Sequence, residues 1–233
     1  MSRSEKQKRR VALTQSAGRL EGLERGLLER GFDVVRTPLT KTKPLVSGAV
    51  KRQAEALLNC PWLLYTSPSA VEAWNALELP FTQNSIGAVG QKTADTVKKL
   101  GGKVQLVGTP QTSAGLAATF LHHADAAGPV GLPRGNRALP TLQDELEQRG
   151  FEARPLVVYE TLAQPWNAPE VDIVVLSSPS AVQALPSEVG KSAKLIALGP
   201  STGAEIGLCG WCYEQAERPD AEAVLKLLEK WRD

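Results

Sequence analysis

The sequence is poor in cysteine and histidine, and this scarcity excludes several kinds of chemistry. The three cysteines, Cys60, Cys209 and Cys212, are an odd number, which argues against a disulfide framework and favours a reducing cytoplasm. The two histidines, His122 and His123, are neighbours on one predicted helix, so no serine has a spaced partner base and no zinc motif is formed. No cluster of carboxylates in the sequence indicates a metal site.

The sequence also lacks the motifs of membrane insertion, secretion and nucleotide binding. No apolar run approaches the roughly 18 residues that a membrane span needs. The basic segment at residues 1–10 is not followed by the apolar core of a secretory signal. Neither a Gly-x-Gly-x-x-Gly fingerprint nor a Walker loop is present. These absences predict a cytoplasmic protein that uses no membrane, cofactor or metal.

Net charge separates the N-terminal segment from the rest of the chain. The whole sequence carries a formal charge of +2, whereas residues 1–10 contain five cations and one anion, so the remainder is slightly acidic. A slightly acidic body does not match the basic surface that nucleic acid requires. We interpret the basic segment as a solvated tail, with an RNA-binding or partner-binding arm as the alternative.

The chain repeats part of itself. Residues 63–71 read LLYTSPSAV and 174–182 read VVLSSPSAV, while residues 86–93 read IGAVGQKT and 195–202 read LIALGPST. The segment RGFD at 30–33 returns as RGFE at 149–152, and the order of the blocks is kept. Because three blocks in order rarely arise by chance, we infer an ancient duplication into two domains of roughly 110 residues each. Two such domains usually leave a cleft in which a ligand binds.

Short apolar strands alternate with amphipathic helices, which is typical of α/β proteins whose parallel sheets are covered on both faces. The alternation divides into two flavodoxin-like, doubly wound parallel-sheet domains. Two proline-containing stretches, 32–45 and 151–166, interrupt the strand–helix alternation at equivalent places in the two copies. We predict that they pair as a two-stranded antiparallel β-ribbon. The predicted boundaries are 1–36 and 167–233 for a discontinuous domain, 37–50 and 152–166 for the ribbon, and 51–151 for a continuous domain.

Small, polar or cationic residues follow the predicted strands. Ligands of open α/β sheets bind beyond the carboxyl ends of the strands, and free N–H groups at helix starts attract anions. Several such loops around one cleft therefore indicate a ligand with several negative charges. A single Ser-Pro-Ser segment is also good helix-capping chemistry, so Ser67 and Ser178 are expected to cap helices on either interpretation. The loops are 14–16, 67–69, 90–93, 133–137, 178–180 and 199–202.

The sequence Cys-Gly-Trp-Cys at 209–212 resembles a thioredoxin-type redox pair. Such a pair works because the N-terminus of a helix lowers the pKa of a thiol. Here a helix is predicted to run into Cys209 and to end at Gly210, so the negative end of the helix dipole faces the first thiol. We interpret Cys209 and Cys212 as structural residues, with a redox protein as one functional alternative.

Five segments, taken in order, resemble the uroporphyrinogen-III synthase family. They are SPSAV at 67–71, VGQKTA at 89–94, VVYET at 157–161, SPSAV at 178–182 and IALGPST at 196–202. The resemblance covers residues from about 11 to 231 and implies two flavodoxin-like domains joined by a ribbon. It also implies a cofactor-free reaction in haem biosynthesis. Hydroxymethylbilane, a linear tetrapyrrole with eight carboxylates, loses water from ring A, inverts ring D through a spiro intermediate and closes to uroporphyrinogen III.

The resemblance also implies the site residues. Tyr159, in the Val-Tyr-Glu-Thr segment, matches the family tyrosine that assists departure of the hydroxyl group. A phenol can do this by donating a hydrogen bond without being ionised. Gln15 stands where many members have arginine, and two arginines match a basic loop that could pair with propionates. The expected substrate-binding residues are Gln15, Ser67, Thr93, Arg134, Arg137, Ser178, Ser180, Ser201 and Thr202.

Binding without chemistry is the alternative function. A two-domain protein that closes on a polyanionic small molecule would use the same loops but would have no need of Tyr159. In both cases we expect a cytoplasmic monomer that binds a small molecule, which is hydroxymethylbilane if the protein is the synthase. We expect it to bind neither nucleic acid nor a membrane.

Overall fold

The chain folds into two compact units. A computed structural model describes residues 8–15, 20, 22–123 and 128–231. The first unit contains the described chain up to Lys41 and again from Leu162, and the second unit contains Thr42–Thr161. The first seven residues of the basic N-terminal segment lie outside the described residues.

Strands and helices alternate along the described chain, as the sequence predicts. In chain order they are β1 (Arg10–Leu13), α1 (Leu23–Glu29), β2 (Asp33–Arg36), β3 (Thr40–Pro44), α2 (Gly48–Leu57), β4 (Trp62–Tyr65), α3 (Pro68–Ala76), β5 (Ser85–Ala88), α4 (Gln91–Lys99), β6 (Val104–Val107), α5 (Ser113–His123), β7 (Val130–Gly135), α6 (Thr141–Gln148), β8 (Ala153–Ala163), β9 (Ile173–Leu176), α7 (Pro179–Gln183), α8 (Ser187–Ser192), β10 (Lys194–Ala197), α9 (Pro200–Leu208), β11 (Tyr213–Gln215) and α10 (Ala221–Glu229).

The first unit contains a five-stranded sheet in the order β11-β10-β9-β1-β2. All neighbouring strands run parallel. Numbered along the chain within this unit, the order is 2-1-3-4-5, which is the arrangement of flavodoxin. The central strands are apolar throughout, as in Ile173–Leu176, where every residue is buried, because helices cover both faces of a parallel sheet.

The second sheet has the same arrangement with the strands circularly permuted along the chain, so that β6-β5-β4-β7-β8, numbered within this unit, reads 3-2-1-4-5. Its strands come from both halves of the repeat. Its order is β3-β8-β7-β4-β5-β6, and the neighbouring strands from β4 to β8 are parallel. β7 and β8 lie next to β4 in the second sheet, in the places that β1 and β2 occupy next to β9 in the first sheet. Each copy of the duplicated sequence therefore contributes its first two strands to one sheet and its later strands to the other. The prediction of two flavodoxin-like parallel sheets is confirmed.

β3 and β8 form the ribbon, and the chain passes from one unit to the other within these two strands. The amide of Leu45 donates to the carbonyl of Val158 at 2.9 Å, and the amide of Gln164 donates to the carbonyl of Leu39 at 2.8 Å. Residue numbers rise along one strand as they fall along the other, so the pair is antiparallel. The predicted ribbon is thereby confirmed.

Two apolar clusters cover the second sheet, one on each face. Successive strand residues point to opposite faces, so Leu63 and Tyr65 of β4 lie in the cluster that includes Trp74 of α3, which we call the α3 face. Leu64 lies in the cluster that includes Leu142 of α6, which we call the α6 face. Two further clusters pack the sheet of the first unit. These faces decide on which side of the sheet each polar residue of the loops lies.

Candidate functional site

Each sheet has a switch point, where the strand order reverses and where ligands of such sheets bind. In the second unit it lies between β7 and β4, and in the first unit between β1 and β9. At the carboxyl ends of these strands stand Gly135 and Ser67 in the second unit, and Gln15 and Ser178 in the first. Three predicted site residues therefore lie at switch points.

A hydrogen bond joins Tyr159 to Ser67 at the switch point of the second unit. The phenol oxygen lies 3.1 Å from Ser67 Oγ, and either atom can be the donor. Tyr159 belongs to β8 and is partly buried against the α3 face. Two residues that the sequence places 92 positions apart thus form one polar pair.

Helix α3 holds Ser67 in place. Ser67 is the N-cap residue, with an extended backbone (φ −159°, ψ 153°), and its side chain accepts a hydrogen bond from the amide of Ala70 at 3.2 Å. Pro68 lies in the first turn, where the missing N–H is harmless. A hydroxyl group can accept such a bond and still donate its own hydrogen. Ser67 therefore presents a hydroxyl group in a fixed position beside the phenol.

Gly135 leaves the space that the ring of Tyr159 fills. A Cβ atom built on Gly135 would lie 2.4 Å from Cζ of the ring and 2.7 Å from the phenol oxygen. The two residues are partners in the β7–β8 ladder, next to an irregularity between Arg134 and Gly135. Any larger residue at this position would displace the phenol from Ser67.

Asn136, which follows β7, forms hydrogen bonds with the backbone of β8 at Tyr159 and Thr161. Its amide donates to the carbonyl of Tyr159 at 3.1 Å, and its Oδ1 accepts from the amide of Thr161 at 3.0 Å. Sequence reasoning placed Gly135 and Asn136 in the loop 133–137 but assigned no role to either residue. The signal that could have found them is a Gly-Asn pair directly after an apolar strand, a combination that favours close backbone approach and side-chain bonds to the backbone.

Tyr65 shows what a phenol in this unit becomes when it faces the core. Its side chain is fully buried, and its ring packs edge-on against Trp74 with centroids 6.3 Å apart. Burial raises the pKa of this phenol well above its ordinary value. Its hydroxyl has no hydrogen-bond partner among the described residues. Of the two tyrosines in this unit, Tyr159 is the one whose hydroxyl contacts the loop 67–69, through Ser67.

The two predicted arginines are not brought to Tyr159. Arg134 donates through Nη2 to the carbonyl of Ala138 and lines a small cavity together with Leu132 and Leu142. These leucines belong to the α6 face, so Arg134 lies on the side of the sheet opposite to the phenol. Arg137 is exposed, and it has no ion-pair partner within the part of the chain that the structure describes.

A side chain from a neighbouring loop occupies the start of α4, where Thr93 is found. Thr93 is buried, and its amide donates to the carbonyl of Gly90 at 3.1 Å. The side-chain oxygen of Gln111 accepts from the amide of Gln91 at 3.2 Å and would lie 2.2 Å from a Cβ on Gly90. At the equivalent Gly199, before α9, a Cβ would meet nothing within 4 Å. The start of α9 is therefore open, whereas the start of α4 already holds an acceptor.

The first unit carries the remaining predicted residues at the carboxyl edge of its own sheet. Ser178 caps α7 by accepting a backbone amide hydrogen at 3.3 Å, and its Oγ lies 3.1 Å from Ser180 Oγ. Gln15 is only 3% exposed, and its Oε1 has no donor among the described residues. In the first turn of α9, Ser201 is exposed and Thr202 is buried.

Cys209 and Cys212 lie beyond the carboxyl end of α9. Cys209 directly follows the helix, and Gly210 adopts a left-handed φ of 72°, which is the helix end that the sequence predicts. Both thiols are exposed, whereas Cys60 is buried and its burial raises the pKa of its thiol. Within the described ranges, no group of three or more His, Cys, Asp and Glu could hold a metal ion. No helix there has the length and apolar character of a membrane span.

Comparison with known proteins identifies a family and a shared fold. Residues 21–226 match the family model described as uroporphyrinogen-III synthase HemD. A mutant uroporphyrinogen III synthase from the extremely thermophilic bacterium Thermus thermophilus matches with a TM-score of 0.62 and 22% identity, covering 96% of this chain and 98% of that chain. Uroporphyrinogen-III synthetase from Helicobacter pylori matches with a TM-score of 0.68 and 16% identity, covering 96% of this chain and 99% of that chain.

Proposed function

Since the chain belongs to the uroporphyrinogen-III synthase family, we propose that Tyr159 supplies the proton with which a hydroxyl group leaves the substrate. The chain is a cyclising lyase that converts hydroxymethylbilane to uroporphyrinogen III in tetrapyrrole biosynthesis. One observation carries the proposed role, namely the 3.1 Å hydrogen bond that joins Tyr159 to Ser67 at a switch point. Family membership does not favour the alternative of a polyanion-binding protein without catalysis.

The proposed sequence of steps begins at ring A. The pyrrole nitrogen pushes electron density toward the carbon that bears the hydroxyl, and the phenol of Tyr159 gives its proton to the departing oxygen, so that water leaves. Ring D attacks the resulting cation through its substituted α-carbon and forms the spiro intermediate. The bond between that carbon and the methylene group of ring C then breaks and leaves a cation on ring C. The free α-carbon of ring D attacks this second cation, so that ring D is inverted. Formation of the closed macrocycle releases a proton from carbon, and that proton restores the phenol. Charge and atoms balance without any further reactant.

We further propose that small hydroxyls and backbone amides bind the carboxylates of the substrate. At the open start of α9 the amide of Ser201 is available to an anion, since Pro200 has no N–H and the amides of Thr202 and Gly203 donate to the carbonyl of Gly199. Exposed Arg137 offers a full positive charge. Gln15, whose buried Oε1 has no donor among the described residues, is suited to accept an N–H of a pyrrole ring. The other proposed substrate-binding residues are Thr93, Arg134, Ser178, Ser180, Ser201 and Thr202, whereas the hydroxyl of Ser67, expected in the same set, pairs with Tyr159.

We also propose that the enzyme acts as a monomer in the cytoplasm. The three cysteines are free, which suits a reducing compartment. A single chain contains every residue to which a role is assigned. Light scattering during size-exclusion chromatography measures the mass, and a dimer at micromolar concentration would contradict the monomer.

The ratio of product isomers tests the catalytic proposal. Purified protein, given hydroxymethylbilane and no metal or cofactor, is expected to form uroporphyrinogen III. Spontaneous closure gives the isomer in which ring D is not inverted, so heat-inactivated protein provides the background. Appearance of the non-inverted isomer alone, at every enzyme concentration, would show that this chain does not catalyse the inversion.

A further inference from the structure

We infer that Ser67 is a positioning residue for Tyr159, whose hydroxyl donates to the phenol oxygen and stabilises it while Tyr159 gives up its proton. The inference rests on the proposed role of Tyr159 and adds a partner 3.1 Å from the phenol oxygen. Ser67 keeps its own proton throughout. The proton that leaves Tyr159 goes to the departing hydroxyl group, and the closing macrocycle later returns one.

The other hydrogen bond of Ser67 is compatible with this direction. Its Oγ accepts the amide hydrogen of Ala70 at 3.2 Å. That bond engages a lone pair of the oxygen, and the hydroxyl hydrogen remains available for the phenol. When Ser67 donates to the phenol oxygen, the phenol hydrogen is free to point at a substrate. The reverse arrangement would use the phenol hydrogen within the protein and leave Tyr159 without a proton to offer.

Helix α3 strengthens Ser67 as a donor. The start of a helix carries a positive partial charge of about half an elementary charge, and Ser67 is the cap of this nine-residue helix. Hydrogen bonds in a chain polarise one another, so a hydroxyl that accepts from a backbone amide donates more strongly. Negative charge on the phenol oxygen is therefore stabilised by a dipole that is in place before the reaction begins.

The internal repeat shows that helix capping alone does not require this contact. The equivalent Ser178 has almost the same backbone conformation (φ −161°, ψ 154°) and caps α7 in the same way. Its Oγ pairs with Ser180 at 3.1 Å instead of with a phenol. In the second unit, by contrast, Gly135 leaves room for the ring, since a Cβ there would lie 2.7 Å from the phenol oxygen. The contact is thus specific to one copy of the repeat.

Steady-state formation of uroporphyrinogen III by the full chain tests the inference. Ser67→Ala is expected to lower kcat by about tenfold, because hydrogen bonds to a charged group are among the stronger ones, with little change in KM. Ser47→Ala is the matched control. Ser47 caps α2 in the same unit, accepting from the amide of Val50 at 3.4 Å, and kcat should remain at the wild-type value.

Two further variants separate the hydroxyl from the stability of the helix. Glycine is tolerated at N-caps nearly as well as serine, so Ser67→Gly should stay folded and be as slow as Ser67→Ala. Ser67→Thr keeps both the hydroxyl and the cap and should retain most of kcat. Wild-type kcat in both the Ala and the Gly variants, or a Thr variant as slow as these, overturns the inference.

A double variant links the effect of Ser67 to Tyr159. In the Tyr159→Phe background, Ser67→Ala should cause no further loss of kcat, because the oxygen on which Ser67 acts is absent. A second, independent loss would overturn the inference while leaving the proposed role of Tyr159 intact, provided that Tyr159→Phe alone is slow. Full activity of Tyr159→Phe alone would overturn that proposed role itself, so the two failures are distinguishable.

Discussion

At the scale of single residues, environment decides what a phenol can do. Tyr65 and Tyr159 both contact the α3 face, but Tyr65 is fully buried, and burial keeps its pKa high. Tyr159 keeps its oxygen at the polar edge of the sheet, bonded to Ser67. The same functional group therefore packs the core in one case and forms a polar pair in the other, where we propose that it transfers a proton.

Replacing Tyr159 by phenylalanine deletes one oxygen and keeps the ring. We expect the rate of uroporphyrinogen III formation to fall by roughly tenfold or more, equivalent to at least ~1.4 kcal/mol of transition-state stabilisation. The loss should stay below that of an indispensable acid, because the pyrrole nitrogen also expels the hydroxyl. Tyr213→Phe, at a partly exposed position, is the control and should keep the wild-type rate. A fully active Phe variant would reduce Tyr159 to a packing residue.

Replacing Tyr65 by phenylalanine should change the stability of the protein and not its rate. Its buried hydroxyl has no partner among the described residues, and an unsatisfied buried hydroxyl is unfavourable. Removal of the oxygen is therefore expected to raise the free energy of unfolding by about 1 kcal/mol and to leave the rate unchanged. Urea unfolding, followed by circular dichroism, measures the change. A loss of stability would indicate that the hydroxyl is hydrogen-bonded in solution.

At the scale of elements, α9 illustrates how packing limits a helix. Within nine residues it contains Gly203 and Gly207, although glycine is a poor helix former. A Cβ on Gly203 would lie 2.7 Å from the ring of Tyr213, whereas a Cβ on Gly207 would meet nothing within 4 Å. Contact with β11 therefore accounts for Gly203, but no contact accounts for Gly207.

This difference predicts opposite responses to alanine. Gly207→Ala should raise the free energy of unfolding by about 0.5 kcal/mol, since it adds helix propensity without a clash. Gly203→Ala should be less stable than Gly207→Ala, because the ring of Tyr213 must move. Thermal unfolding of the two variants side by side makes the comparison. Equal stabilisation by both substitutions would mean that the Tyr213 contact places no limit on the helix.

Helix α2 shows where local reasoning fails at this scale. It spans Gly48–Leu57, with Ala54 and Leu57 as its buried residues, so its apolar face is too narrow to give a clear helical period. Its first three residues, 48–50, fall within the segment 37–50 that was predicted as ribbon, and they are helical instead. By contrast α3 and α7 begin directly after the predicted caps Ser67 and Ser178, since Ser-Pro pairs are strong signals of a helix start.

At the scale of the whole molecule, the exchange of strands between the two copies of the repeat determines which fragments of the chain can fold independently. The five strands of the first sheet come from both copies, as do those of the second. A chain cut between the copies would leave both sheets incomplete. A chain cut at the boundaries of the second unit keeps β4 to β8 together.

We therefore predict that a fragment spanning Thr42–Thr161 folds independently, because it contains a complete compact unit and domains of this size form their own core. It should show a cooperative urea transition by circular dichroism. A fragment of residues 1–123, which ends between the copies, should show none. Cooperative unfolding of the second fragment, or its absence in the first, would contradict the strand exchange as the basis of stability.

The sequence by itself determined the class of fold, the helix caps and the family. Ser67, Ser178 and Gly210 act on residues close to them in the chain, so their roles are readable from local patterns. The strand–helix alternation and the repeat similarly predict two parallel sheets. Tertiary structure alone decided which side chains meet. It brought Tyr159 to Ser67 and Gly135 to the ring, turned Arg134 toward Ala138, and placed Gln111 at the start of α4. These contacts join residues on different strands and loops, and their geometry depends on strand register and on a local irregularity in β7, which no local pattern encodes.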